Sequence, residues 1–140
     1  MKVKDIMSTR PVHVTPDEDM WAVKRVFDKH QFHHILVIAQ GSLVGVLSDR
    51  DYLKTVSPNV KNGALTSADL NNMNRRVHQI MSHKVISVKP DDQVMQAVML
   101  FNENKISCLP VVDNNRAVGI LSWRDIMRFL QERVLSRQNK

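Results

Sequence analysis

Gly45-Val46-Leu47-Ser48-Asp49-Arg50-Asp51 returns 74 residues further on as Gly119-Ile120-Leu121-Ser122-Trp123-Arg124-Asp125. The same offset lays residues 6–53 over residues 80–127 without a gap. Of those 48 positions 14 are identical, among them Ile6/Ile80, Met7/Met81, Ser8/Ser82, Pro16/Pro90 and Phe27/Phe101. Chance at average residue usage gives about three. The chain is a tandem duplication, so its architecture is one repeat used twice.

Each repeat reads as strand, helix, strand, strand, helix. Val12 and Val14 alternate with polar neighbours as a short strand, and Ile86 and Val88 repeat it. Pro16-Asp17 and Pro90-Asp91 place an N-cap carboxylate ahead of Met20, Val23, Val26 and Phe27 and, in the copy, of Val94, Ala97, Val98 and Phe101, all at helical spacing. Residues 35–39 and 43–47 form a hairpin about Gln40-Gly41-Ser42, and residues 109–112 and 117–121 form its counterpart about Asp113-Asn114-Asn115. Ser48 and Ser122 cap the closing helices, the second of which carries Ile126, Phe129, Leu130 and Val134 on one face. The polar stretch 55–63 reads as an exposed loop, and Leu70, Met73, Val77 and Ile80 predict one helix behind Thr66 or Ser67. The expected organisation is a first domain at 1–62, a helical connection at 63–80 and a second domain at 81–140. The class is α+β, two β-α-β-β-α repeats packed as a pseudo-twofold pair, because a half of about 60 residues buries too little surface to stand comfortably alone.

Composition narrows the function. The 140 residues carry 20 Lys+Arg against 14 Asp+Glu, a net charge of +6, with 43% hydrophobic and 24% charged residues, which excludes a wholly disordered or collagen-like chain. The longest apolar runs, 35–39 and 97–101, are five residues, far below the roughly 20 of a membrane-spanning helix. No secretory signal is visible, so a cytoplasmic location without membrane attachment is expected. The single cysteine, Cys108, forbids an intramolecular disulfide and reads as a small buried thiol.

The repeated string carries the chemistry. Ser-x-x-Asp at the start of a helix is close to a capping box, which by itself accounts for Ser and Asp. It does not account for Gly45 and Gly119 inside strands, where glycine marks a bulge or the close approach of another group. A ligand is one such group. Free N–H groups at a helix start, a Ser hydroxyl and Arg50 or Arg124 suit a phosphate, whereas Asp51 and Asp125 repel one and suit two neighbouring hydroxyls instead. Phosphate together with a diol points to a nucleotide.

With these strings, the openings Asp5-Ile6-Met7-Ser8 and Gln79-Ile80-Met81-Ser82, and the strand Leu109-Pro110-Val111-Val112, nearly the whole chain resembles a tandem pair of cystathionine-β-synthase (CBS) domains, a Bateman module. The resemblance implies binding of AMP, ADP, ATP or S-adenosylmethionine as a regulatory ligand in clefts between the domains. It implies that Asp51 and Asp125 hold the ribose hydroxyls and that Ser48 and Ser122 lie near the phosphate. It also implies that the backbone of Val12, His13 and Val14, and of Ile86, Ser87 and Val88, meets adenine, with His33 and Pro110 lining the cleft. A homodimer and an unidentified regulated protein are the partners it implies. Leu36 stands where the family often has the proline that Pro110 supplies, and Trp123 stands where the first copy has Asp49. A side chain as large as Trp123 can stack on a ligand, fill a cleft or sit in a dimer interface.

Other classes leave weaker marks. There is no Gly-x-Ser-x-Gly elbow and no Gly-x-x-x-x-Gly-Lys loop, so neither an enzyme nor a catalytic cofactor is expected. His30, His33 and His34, with His13, lack convincing ligand spacing for a metal. Arg124, Arg128, Arg133, Arg137 and Lys140, against Asp125 and Glu132, give the last helix a basic stripe. That stripe keeps a nucleic-acid-associated regulator as an alternative, although no nucleic-acid recognition motif accompanies it. A second alternative is a ligand-free interaction module whose clefts are filled by its own side chains.

Overall fold

The computed structural model describes residues 1–30, 33–60 and 62–139. In chain order it contains a 3-10 turn at Val3–Asp5, β1 (Ser8–Thr9), β2 (His13–Val14), α1 (Met20–Lys29), β3 (His34–Ala39), β4 (Ser42–Ser48), α2 (Asp49–Thr55), a 3-10 turn at Pro58–Val60, α3 (Ser67–Met73), α4 (Val77–Ile80), α5 (Val94–Asn104), β5 (Cys108–Asp113), β6 (Arg116–Ser122) and α6 (Trp123–Gln138). Lys61, in the expected loop, and Lys140, in the basic stripe, lie outside the described residues.

The compact units do not follow the repeat boundaries. One unit is Val12–Val85; the other combines Met1–Pro11 with Ile86–Lys140. In the first, β2 runs parallel to β3, and β3 and β4 form an antiparallel hairpin. Ser82, which opens the second repeat, bridges the outer edge of β4 through reciprocal bonds with Val46 at 2.9 and 3.1 Å. In the other unit β5 and β6 form the hairpin, and β1, which opens the first repeat, pairs with Ile120 and Gly119 of β6. Each repeat therefore donates its Ile-Met-Ser opening to the sheet that holds the other repeat's hairpin.

Those openings account for the two strand glycines. A Cβ on Gly45 would lie 2.5 Å from the Met81 sulfur and 3.0 Å from the Ser82 carbonyl oxygen. On Gly119 it would lie 2.6 Å from the Met7 sulfur and 2.8 Å from the Ser8 carbonyl oxygen. The group that approaches closely is thus the chain itself, not the ligand that the sequence admitted.

Both hairpins turn through two residues with positive φ, Gln40-Gly41 (52° and 81°) and Asn114-Asn115 (50° and 67°), the left-handed pair whose twist matches that of the strands. Both also carry a register shift, at Val37/Ile38 and at Val111/Val112. The parallel strand is unequal in the two copies. In the first, the Leu36 N–H donates to the Val12 carbonyl at 3.2 Å. Its counterpart Pro110 has no N–H to give to Ile86. The expected strand at Ile86 and Val88 consequently shrinks to a single bridge between Val88 and Val111.

Two helix starts need correction. Asp19, not Asp17, caps α1 by accepting from the Ala22 N–H at 3.2 Å, and α5 begins after Gln93 with no side-chain cap. The Pro-Asp pairs belong to the preceding turns, closed by Glu18 on the Thr15 N–H and Asp92 on the Lys89 N–H. Asp91 instead reaches Lys4 and Lys2 at 3.0 and 3.4 Å, exposed pairs of small worth. The single helix expected through Ile80 is two, α3 and α4. Asn71, Asn72 and Asn74 propagate a helix poorly, and the Val77 and His78 N–H groups leave it for the carbonyls of Glu18 and Pro16 at 2.8 and 3.0 Å. The stretch read as an exposed loop begins inside α2, and its Val56 and Val60 pack against the core.

Each unit has its own core. Val14, Met20, Val23, Ile35, Val37, Leu47 and Tyr52 join Met73, Val77 and Met81 in one. Val3, Val88, Val94, Ala97, Phe101, Leu109, Val111, Leu121 and Ile126 form the other. Cys108 is buried as expected, and burial pushes its thiol up to about 12.

A fragment of residues 12–85 should melt cooperatively by circular dichroism. One of residues 1–62 should not, because it lacks Met73, Val77 and Met81; cooperative unfolding of 1–62 would contradict this division. Gly119→Ala should cost about 1–3 kcal/mol in denaturant melts, since Ser8 backbone must move to make room. It should cost more than Gly45→Ala, because a methionine sulfur is the nearest obstacle at both but the Ser82 carbonyl stands at 3.0 Å where the Ser8 carbonyl stands at 2.8 Å.

Candidate functional site

In each unit a hairpin strand ends in the repeated motif and hands over to a helix. Ser48 has an extended backbone and its Oγ accepts from the Asp51 N–H at 3.1 Å, while Asp51 Oδ2 accepts from the Ser48 N–H at 3.0 Å. Ser122 and Asp125 repeat the exchange at 3.3 and 2.8 Å at the start of α6. The capping box is therefore formed in both copies, and each Asp is held in place by backbone rather than left to rotate.

Beyond the cap the copies differ. Asp125 is 6% exposed; its Oδ2 also accepts from the Ser122 hydroxyl at 3.2 Å, and its Oδ1 receives Arg128 at 3.3 Å. Asp51 is only half-buried, and its Oδ1 makes no hydrogen bond with a described residue. Arg50 and Arg124, on the first turns of α2 and α6, are exposed and form no ion pair with a described residue. With one carboxylate oxygen unclaimed by the described residues, the first copy has the more available hydrogen-bond acceptor.

The remaining expected residues lie close to the motif in chain and sheet. His13 faces Leu36 across the β2–β3 pair and is exposed, whereas Val14 is buried and Val12 half-buried. In the other unit Ser87 is exposed, Ile86 half-buried and Val88 buried, with the Val88 N–H on the Pro110 carbonyl at 3.0 Å. Pro110 is buried opposite Ile120. His33 is exposed at the base of β3, and its Nδ1 meets Asp49 Oδ2 at 2.9 Å while its carbonyl accepts from the Asp49 N–H. Burial holds the pKa of the adjacent His34 below its ordinary value, against the opposing pull of Asp49. Among the described residues no three His, Cys, Asp or Glu side chains gather closely enough to hold a metal ion. No helix among them is long and apolar enough to cross a membrane.

Trp123 keeps the backbone half of the His33–Asp49 contact, its N–H donating to the Ser107 carbonyl at 3.3 Å, but brings an indole in place of the carboxylate. It is 51% exposed at the start of α6, beside an apolar groove of about 520 Å³ between α5 and α6 that is lined by Val94, Val98, Phe101, Ile126, Phe129 and Leu130. The four apolar residues expected on one face of α6 therefore divide: Ile126 enters the core, while Leu130 and Val134 stay near half exposure. The sequence did not single out this groove. Its signal was the run of Met95 and Met99 on α5, which helical spacing sets away from the core positions Val94, Ala97 and Phe101. In the basic stripe, Arg128 is bound to Asp125 and Arg133 lies 5.5 Å over the Phe129 ring.

Comparison with known proteins fits this arrangement. The chain is 32% identical to protein MJ1426 of Methanocaldococcus jannaschii over 93% of its own length and 91% of the relative's. It is 30% identical to protein MJ1225 of the same organism over 91% of its length, but spans only 47% of that relative. Among solved structures, the CBS domain pair of protein MJ0100 in complex with 5′-methylthioadenosine and S-adenosyl-L-methionine superposes with a TM-score of 0.77 at 25% identity, covering 95% of this chain and 98% of that one. The CBS domain profile matches twice, at residues 3–58 and 77–132. Two profile matches in tandem, on two copies of the same sheet and capped motif, place the chain in the CBS domain family.

Proposed function

We propose that this chain is a regulatory module, not a catalyst, that binds an adenosine-containing small molecule and acts as a homodimer on a protein partner. The observation that carries the reading is the likeness over 95% of the chain to a CBS pair in complex with 5′-methylthioadenosine and S-adenosyl-L-methionine. The residues agree with it. Asp51 offers an oxygen to a ribose diol, Ser48 and Arg50 stand beside it for a phosphate or carboxylate, and the backbone around Val12, His13 and Val14 offers edge hydrogen bonds to adenine. Ser122, Arg124 and Asp125, with Ile86, Ser87 and Val88, repeat the set in the second copy, where a ribose must compete with Arg128 for Asp125. Regulation follows if the ligand binds one of two conformations more tightly, since only differential affinity shifts a population.

Thermal unfolding with AMP, ADP, ATP, S-adenosylmethionine and 5′-methylthioadenosine, with GTP as control, tests the ligand class. A ligand at 100 times its dissociation constant adds about 2.7 kcal/mol, which should raise Tm by several degrees. Flat curves with every adenosine compound would overturn the reading. Asp51→Asn should weaken binding about tenfold or more, by titration calorimetry, and Asp125→Asn should weaken it less; equal effects would contradict the inequality of the two carboxylates.

A further inference from the structure

The two copies of the motif differ in charge at one position. Asp49, Arg50, Asp51 and Lys54 of the first stand where the second has Trp123, Arg124, Asp125 and Arg128. The first copy is therefore one charge more negative, and Asp49 is the whole of the difference. Its carboxylate is held in place. His33 Nδ1 meets Asp49 Oδ2 at 2.9 Å, and the Asp49 N–H donates to the His33 carbonyl at 2.9 Å. Asp49 Oδ1 makes no hydrogen bond with a described residue, and the side chain is 37% exposed, open to a ligand from water.

Asp49 and Asp51 act on a common place. His34 stands directly opposite Ser48 across the β3–β4 pair. Burial is the main influence on its pKa, and both Asp49 and Asp51 act against it. The two acids thus lie within electrostatic reach of the sheet position that faces Ser48. Arg50 comes between them in sequence and is exposed, with no ion pair to a described residue. The first copy consequently presents two carboxylates, each with one oxygen unclaimed by the described residues, and one guanidinium. In the second copy Trp123 supplies no charge and Arg128 occupies Asp125, which leaves one engaged acid among two guanidinium groups.

We infer that Asp49 is a specificity-determining residue, by which the first copy selects an adenosine with an aminoacyl sulfonium at its 5′ carbon over one that ends in phosphate. This rests on the reading that the chain binds an adenosine compound, and it assigns the charge of that compound. S-adenosylmethionine brings a diol for Asp51, a carboxylate for Arg50, and a sulfonium and an ammonium for Asp49. A 5′-phosphate also suits Arg50 but carries no positive group, so Asp49 meets it only as a like charge. Specificity is a difference of affinities, and one carboxylate beside the guanidinium acts on both sides of it by holding the cation and repelling the anion. At the partial exposure of Asp49 each effect is worth a few-fold, and together they give about tenfold.

Titration calorimetry of the full chain with S-adenosylmethionine, S-adenosylhomocysteine and AMP tests this, run in the wild type and in an Asp125→Asn variant in which the second copy contributes less. In both, S-adenosylmethionine should bind about tenfold tighter than AMP. S-adenosylhomocysteine, which keeps the ammonium and the carboxylate without the sulfonium charge, should fall between them. Adding Asp49→Asn should weaken S-adenosylmethionine and strengthen AMP, so that their ratio falls about tenfold. Asp49→Glu restores the charge and should keep the preference. If Asp49→Asn changes both affinities by the same factor, or neither, Asp49 does not set specificity and the inference is overturned. If AMP binds as tightly as S-adenosylmethionine before any change at Asp49, the charge assignment falls while the adenosine reading stands. If none of the three compounds binds the wild type, the adenosine reading fails and this inference fails with it.

Discussion

The contact on which each unit depends is made by an atom that is absent. Because Gly45 and Gly119 lack Cβ, a methionine thioether and a serine carbonyl can close against the middle of a strand, at positions where any other residue would overlap them. The incoming segment comes from the opening of the other repeat, so neither hairpin sheet is complete with its own repeat alone. Met81 then joins Met73 and Val77 in a core built mainly from the first repeat, and Val3 joins a core built from the second. The polar connection is thereby drawn into the fold, with the N–H groups of Val77 and His78 bonded to the turn that precedes α1.

The same motif string also sets the functional chemistry. A strand that must accept a neighbour at its glycine ends three residues later in a Ser whose hydroxyl caps the next helix, and the helix returns an Asp to the Ser backbone. Fixing the carboxylate in this way would lower the entropy lost on accepting a diol, the role we propose for it. The duplication then diverged at its edges. Arg128 engages Asp125, His33 engages Asp49, and Trp123 takes the place of that acid, so one copy keeps a more available polar group while the other presents apolar surface.

Much of this was legible from residue order. The offset of 74 residues, the alternation in the hairpins and the Ser-x-x-Asp caps each state a local rule that the fold obeys. What the sequence hid was nonlocal. Nothing in the string around Gly45 says that its neighbour is Met81 rather than a ligand. The failure of the strand at Ile86 follows from a proline on the facing strand, 24 residues away. Both helices start later than the Pro-Asp pairs suggest because those pairs are taken up in turns closed by Glu18 on the Thr15 N–H and Asp92 on the Lys89 N–H, contacts that helical spacing does not reveal. The helical spacing of Leu70, Met73, Val77 and Ile80 was real, yet α3 and α4 share it across a break, since burial rather than helix continuity set the period.

Amide hydrogen exchange with and without S-adenosylmethionine or AMP tests the central claim most directly, because it reports where a ligand is held as well as whether it binds. The account predicts slowed exchange at residues 12–14 and over the first turn of α2, with a smaller effect at residues 86–88 and the start of α6. Exchange unchanged at all of these positions at saturating ligand would contradict it.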